Sequence, residues 1–269
     1  MSYVLNNLNS AMNYIIAIPS YNRHKELKEK TLKTLARNKI NKDRIYIFVA
    51  NNEERIKYLN FLDPDSFNQV IIGKLGIRNQ RIFISQYFDP GKYIVSCDDD
   101  IEDFKMLEII NGKKTLKTIY NIEYEILRSF TVCQLYNKYL WGVVAHGNPY
   151  WMNDNTAIGL YFCVGVFHGY INRHDNFLYP HELSETKEDY EQCILFSLRD
   201  EGVVRRNDLT FSTKYNAEGG LGTDRFHRNK VAQQYLVNKY PNLVQAYERK
   251  NGTPEIKFKF KSKHKINIK

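Results

Sequence analysis

Four short β-prone runs recur across the first hundred residues, separated by stretches long enough for one helix each, and this alternation constrains the fold more than any other feature. The runs are Tyr14–Ile18, Arg44–Ala50, Gln69–Gly73 and Tyr93–Cys97. Between them lie helical candidates over Lys25–Asn38, Glu53–Phe61 and Ile77–Phe88, the last with Ile77, Phe83, Ile84 and Tyr87 spaced to face a sheet. Pro19 is expected to break the ladder after the first run. Such an order predicts an α/β fold with a mixed, mostly parallel central sheet flanked by helices and joined by right-handed crossovers.

The fourth run leads straight into Asp98-Asp99-Asp100. In an open α/β sheet ligands bind in the crevice at the carboxyl ends of the strands, so three acids there suit an oxygen-ligated Mg²⁺ or Mn²⁺ that itself holds phosphate. An exposed acidic turn or a helix N-terminus is the alternative reading of the same residues.

Beyond Asp100 the alternation stops. A long amphipathic helix is expected within Lys113–Leu140, strands at Trp141–Ala145 and Ile158–Phe167, a helix over Lys187–Asp200 with Tyr190, Ile194, Leu195 and Leu198 inward, and an extended segment at Asp208–Lys214. A glycine-rich loop, Asn216–Gly222, precedes a last helix, Arg225–Tyr240, which Pro241 stops. No repeat or Pro/Ser-rich linker divides the 269 residues, so one domain is expected, with 14–100 as one half, 101–256 as the other and 257–269 as a basic tail.

The net charge is +9, but the last thirteen residues contain six lysines and no acid, and without them 33 basic face 30 acidic side chains. The basicity is therefore local, which suits one contact surface better than a whole-domain field. Lys257, Lys259 and Lys261 alternate with Ile256, Phe258 and Phe260, the period of a strand with one basic face to lie along phosphates, or of a lysine-protected edge. No run is long and apolar enough to span a membrane, and a soluble cytoplasmic protein without an obligate protein partner is expected. Cys97, Cys133, Cys163 and Cys193 lack metal-type spacing and read as buried, reduced residues.

Four segments in order, Ala17-Ile18-Pro19-Ser20-Tyr21-Asn22-Arg23, Gly76-Ile77-Arg78-Asn79, Asp98-Asp99-Asp100 and Lys187-Glu188-Asp189, resemble the GT-A type nucleotide-sugar glycosyltransferases over roughly residues 14–200. The C-terminal half departs from the glycan-making members. Val164-Gly165-Val166-Phe167-His168-Gly169 stands where they carry a Gly-Gly-Asn-type motif. Tyr215-Asn216-Ala217-Glu218-Gly219-Gly220, Arg225, Arg228-Asn229 and Lys239-Tyr240-Pro241 look like the phage and viral group, associated with base-oxidising dioxygenases, that glycosylates hydroxymethylated DNA bases.

The resemblance implies a nucleotide-sugar donor, UDP-linked, a divalent metal held by Asp98 and Asp100, and Asp99 near the donor ribose or sugar. Pro19, Tyr21 and Arg23 would shape the nucleobase and ribose pocket, and Arg78 would pair with a phosphate or the triplet. Asp189 would be the base of an inverting transfer, although Thr186-Lys187-Glu188-Asp189 also has the layout of a capping-box variant. Arg225 and Arg228 would close over the diphosphate from a glycine-hinged lid, with His227 a further metal ligand. Rival readings are transfer to a glycan or protein, a metal-dependent nuclease or nucleotidyltransferase, and a DNA-binding module without catalysis.

Overall fold

The computed structural model describes residues 12–213, 224–259 and 264–266. The first half follows the expected alternation: β1 (Tyr14–Pro19), α1 (residues 24–37), β2 (Ile45–Val49), α2 (Asn52–Phe61), β3 (Gln69–Ile72), α3 (Ile77–Tyr87) and β4 (Tyr93–Cys97). Pro19 is still in the ladder, opposite Phe48, because a strand's last residue can lack an N–H donor without leaving a gap. Within α1 the stretch Leu27–Leu32 winds as a π-helix. Its extra residues per turn bring Leu27 and Leu32, five apart, toward the same buried face.

The second half comprises β5 (Asp103–Ile110), β6 (Lys113–Thr118), α4 (Ile122–Leu135), β7 (Leu140–Val143), β8 (Thr156–Gly159), β9 (Phe167–Ile171), α5 (Glu188–Asp200), β10 (Val203–Arg206), β11 (Leu209–Ser212), α6 (Arg225–Lys239), β12 (Val244–Glu248), β13 (Pro254–Phe258) and β14 (His264–Ile266). Three features differ from the sequence reading. A hairpin, β5–β6, turning at Asn111 and Gly112 in positive φ, precedes α4. The apolar run Ile158–Phe167 is two strands, β8 and β9, with an irregular segment between them, and β10 is an additional strand. Tyr87 and Leu198, expected inward, are exposed.

Nine strands form the main sheet in the order β14-β8-β10-β7-β9-β4-β1-β2-β3. The run β4-β1-β2-β3 is parallel, whereas β9 lies antiparallel between β4 and β7. Strand direction thus reverses beside β4, the strand that delivers the acidic triplet. Alternate residues of β1 enter different cores: Ile16 and Ile18 pack with Val95, Phe130 and Trp141 on one face, and Ile15 and Ala17 with Ile84, Ile94 and Leu140 on the other. Both faces are covered, as a largely parallel sheet requires. Small sheets β11-β5-β6 and β12-β13 flank this body. All four cysteines are buried and unpaired. Among the described residues no helix is long and apolar enough to cross a membrane.

Candidate functional site

The triplet follows β4 without a break, and the chain around it is pinned by backbone groups. The Asp98 N–H donates to the Val166 carbonyl at 2.9 Å. The Thr31 hydroxyl, presented by the π-helical part of α1, donates to the Asp98 carbonyl at 2.7 Å and accepts from the Ile101 N–H at 2.9 Å.

Two arginines meet the three carboxylates. Arg23 spans two of them, Nη1 at 2.9 Å from Asp99 Oδ1 and Nη2 at 2.8 Å from Asp100 Oδ2. Asp99 is buried and also accepts from the Ser20 hydroxyl at 2.6 Å, which in turn lies 2.6 Å from the Tyr58 hydroxyl. Arg81 Nη2 lies 3.1 Å from Asp98 Oδ1 and donates to the Gly165 carbonyl at 2.6 Å, while its Nη1 pairs with Glu188. Burial pushes the Asp98 carboxyl up to about 6, against the pull of Arg81. It pushes Asp99 up to about 7 against Arg23, and Glu188 up to about 7 against Arg81.

Asp189 sits across the Gly165 peptide from Arg81. Its Oδ2 accepts from the Gly165 N–H at 3.0 Å and its Oδ1 from the Tyr190 N–H at 2.9 Å. Burial raises its pKa, with the Gly165 hydrogen bond and Arg81 pulling it back. The capping-box alternative is not realised: the first residue of α5 is Glu188, and the Thr186 hydroxyl donates instead to the Arg228 carbonyl at 3.3 Å. A Cβ at Gly165 would stand 2.4 Å from Arg81 Nη1, so any larger residue there would push the guanidinium from its place. One peptide therefore joins the acid triplet, Arg81, Glu188 and Asp189.

Other expected site residues lie as follows. Pro19 is buried at the end of β1, and Tyr21 is exposed at 43%. Arg23 pairs with Asp99 and Asp100. Arg78 donates to the Pro180 carbonyl at 2.6 Å and to the Asn79 side chain at 2.7 Å, so Arg81, one helical turn on, is the arginine that reaches the triplet. Arg225 and the exposed His227 occupy the first turn of α6, and Arg228 pairs with Glu185 at 2.6 Å. Tyr215–Gly220, Gly222 and Lys261 fall outside the described residues. Lys257 is exposed on β13, and the Lys259 ammonium donates to the Pro241 carbonyl.

Sequence reasoning missed Arg81, Ser20 and Tyr58. Arg81 carried a usable signal, since it lies three residues beyond Arg78 on the same side of α3.

The donor set suits a hard divalent cation. Among the described residues no three His, Cys, Asp or Glu side chains converge as a ready-made cluster, and none therefore includes His227. Mg²⁺ and Mn²⁺ need fewer, using one or two carboxylates together with substrate phosphate oxygens. Asp98 and Asp100 each carry one arginine-bound oxygen and keep a second for such a role.

No family model matches the chain, and no curated protein matches it by sequence. Solved structures do. Glucosyl-3-phosphoglycerate synthase from Mycobacterium tuberculosis, in complex with Mn²⁺, UDP and glucosyl-3-phosphoglycerate, superposes with a TM-score of 0.51 at 8% identity, covering 97% of this chain and 92% of that one. The mannosyltransferase PcManGT from Pyrobaculum calidifontis, in complex with GDP-Man and Mn²⁺, gives 0.50 at 10% identity, covering 89% and 69%. TarS from S. aureus gives 0.50 at 15% identity, covering 85% of this chain and 44% of that one. At these identities the likeness is one of architecture: the chain has the GT-A fold of nucleotide-sugar glycosyltransferases.

Proposed function

We propose that this chain is a divalent-metal-dependent glycosyltransferase that moves a sugar from a nucleotide-sugar donor, a UDP-sugar, to the hydroxyl of a hydroxymethylated base in phage or viral DNA. The observation that carries the transferase reading is the carboxylate array at the reversal of the sheet, where Arg81 joins Asp98 to the Gly165 carbonyl and Asp189 accepts from the Gly165 N–H. The fold likeness supports it, because two of the similar structures hold Mn²⁺ with UDP or GDP-Man. Support for a nucleic-acid acceptor comes from the C-terminal resemblance and from the concentration of lysines in the tail.

Asp98 and Asp100 would hold the metal, which when bound neutralises the diphosphate and makes it a competent leaving group. The remaining chemistry belongs to this chain's residues. Asp189 takes the proton of the acceptor hydroxyl as that oxygen attacks the anomeric carbon. The bond from that carbon to the diphosphate oxygen breaks on the opposite face, and the nucleoside diphosphate leaves. Burial lifts the proton affinity of Asp189, and the Gly165 N–H aims its carboxylate. Arg23 and Arg81 neutralise the triplet and are positioned to pass to donor phosphate oxygens, the bidentate partners a guanidinium favours.

The test is a panel of nucleotide-sugars incubated with Mn²⁺ and DNA containing hydroxymethylcytosine or hydroxymethyluracil, read by nucleoside mass spectrometry. The expected product is the modified nucleoside carrying one added sugar. Sugar transfer only to a glycan or protein would overturn the acceptor, and DNA cleavage or nucleotide addition without a sugar donor would overturn the reaction class.

A further inference from the structure

A short turn far along the chain from the triplet presents two large aromatic rings to solvent. Tyr150 and Trp151 are 71% and 66% exposed, with ring centroids 4.7 Å apart and planes at 90°. Their exposure is built rather than incidental. Pro149 opens the turn, and the Asn148 side chain accepts from the Tyr150 N–H at 3.0 Å. Met152, the next residue, is fully buried against Leu107, Val144 and Leu116 and pegs the turn to the β5–β6 hairpin. From β6, the Lys114 ammonium donates to the Met152 carbonyl at 2.6 Å and to the Tyr150 carbonyl at 3.4 Å. A backbone held at both ends thus displays two rings with no core role, and rigid aromatic faces of this kind bind flat partners at small entropic cost.

The strand beneath the turn is rich in lysine, with one exposed acid, Asp154, following the rings. β6 is the edge strand of its sheet and carries Lys113, Lys114 and Lys117, with Lys105 on the adjoining β5. Of the two acids on the hairpin, Asp103 pairs with Arg37 at 3.0 Å and Glu108 lies 3.9 Å from Lys117. Lysines of an edge strand beside stacking rings suit single-stranded nucleic acid: ammonium groups on the strand reach phosphates while every base offers a π-face.

We infer that the Tyr150–Trp151 turn and the lysines of the β5–β6 hairpin form a stacking platform for DNA flanking the modified nucleotide, an inference that rests on the DNA-acceptor reading. β5 starts three residues after Asp100, and Lys114, under the turn, is opposite Ile109, six residues into that strand. At about 3.4 Å per residue the platform is roughly 20 Å from the triplet, on the order of six stacked nucleotides. The platform therefore serves acceptors longer than about six nucleotides and does nothing for shorter ones.

The chain has two tryptophans, and Trp141 is fully buried, so Trp151 reports on this surface. Titrating the full chain with oligothymidylate at low salt is expected to quench Trp151 emission saturably. Trp151→Ala should weaken binding of a labelled 20-nucleotide strand about tenfold or more, while Trp141 emission stays native-like and certifies the fold. In transfer assays the KM of the wild-type chain should fall as the acceptor is lengthened past about six nucleotides, and that fall should vanish in Trp151→Ala. Absence of quenching by DNA, quenching only by a neutral glycan polymer, or an unaltered length dependence in the variant would each overturn the platform. Transfer to hydroxymethylated DNA with unaltered Trp151→Ala binding overturns the platform alone. Oligonucleotide quenching with no transfer to DNA supports the surface and overturns the acceptor.

Discussion

Asp189 is the residue on which the proposed chemistry turns, and its sequence context alone also allowed a helix-capping role. Asp189 gives one carboxylate oxygen to the Tyr190 N–H of its own helix and sends the other across to the Gly165 N–H. Asp189→Asn keeps the size and one of the two hydrogen-bond acceptors but cannot take a proton. The variant is expected to lose turnover by about a thousandfold or more, the upper part of what a positioned general base contributes, with nucleotide-sugar affinity retained in calorimetry. Asp99 supports a second prediction. Its carboxyl titrates near 7 in the fold and near 4 in an unfolded chain, so between those values the folded state binds more protons and stability falls as pH rises. In chelator-treated protein, denaturant titrations from pH 4.5 to 7.5 should show the wild type losing up to about 3 kcal/mol more than Asp99→Asn across that interval. An equal loss in both would mean that Asp99 is not the group held protonated. The place of the acids was legible in the sequence, because the apolar run Tyr93–Cys97 forms β4 and ends directly before them. Their counter-charges were not, since whether Arg78 or Arg81 reaches the triplet depends on the rotation of α3 against the sheet, which residue order does not specify.

The elements of the first half were readable because their apolar periods are clean and their lengths match a strand or a helix. β4 occupies Tyr93–Cys97, the run expected from its sequence alone. The hairpin β5–β6 was lost to a competing pattern, since the three- and four-residue apolar spacing of α4 extends backward to Ile119 and hides the strands before it. The missed signal was Asn111-Gly112, the pair most suited to a two-residue hairpin turn, and both residues do lie at positive φ, 51° and 76°. Gly112→Ala has open space for its methyl group but must hold a left-handed backbone. A cost of about 1 kcal/mol in urea titration is therefore expected from the turn alone. A larger loss would show that the hairpin supports more of the molecule than its own two strands. Similarly, β8 and β9 merged into one expected strand because the irregular residues between them, Leu160–Val166, are themselves largely apolar. Among them Val166 accepts from the Asp98 N–H, and Gly165 is the peptide gripped from both sides.

At the scale of the whole molecule, donor, metal and fold should be linked. Ligands that bind only the folded chain raise its melting temperature, and occupancy at about a hundred times the dissociation constant contributes about 2.7 kcal/mol. For a chain of this size that corresponds to a rise of about 5 °C. Mn²⁺ and UDP-glucose together are expected to produce it, EDTA to reverse it, and Asp98→Asn with Asp100→Asn to abolish it; a rise that survives both substitutions would place the donor elsewhere. The arrangement of the great sheet has a separate implication for how the polypeptide is made. β14 pairs antiparallel with β8, yet follows it by about a hundred residues in chain order. While the protein is being synthesised, the outer edge of β8 stays bare until residues 264–266 emerge, and an unpaired β-edge invites neighbouring nascent chains. Expression hosts that slow translation toward the end of the message, or bulky fusions placed close behind β14, should therefore lower soluble yield more than equivalent additions ahead of β1.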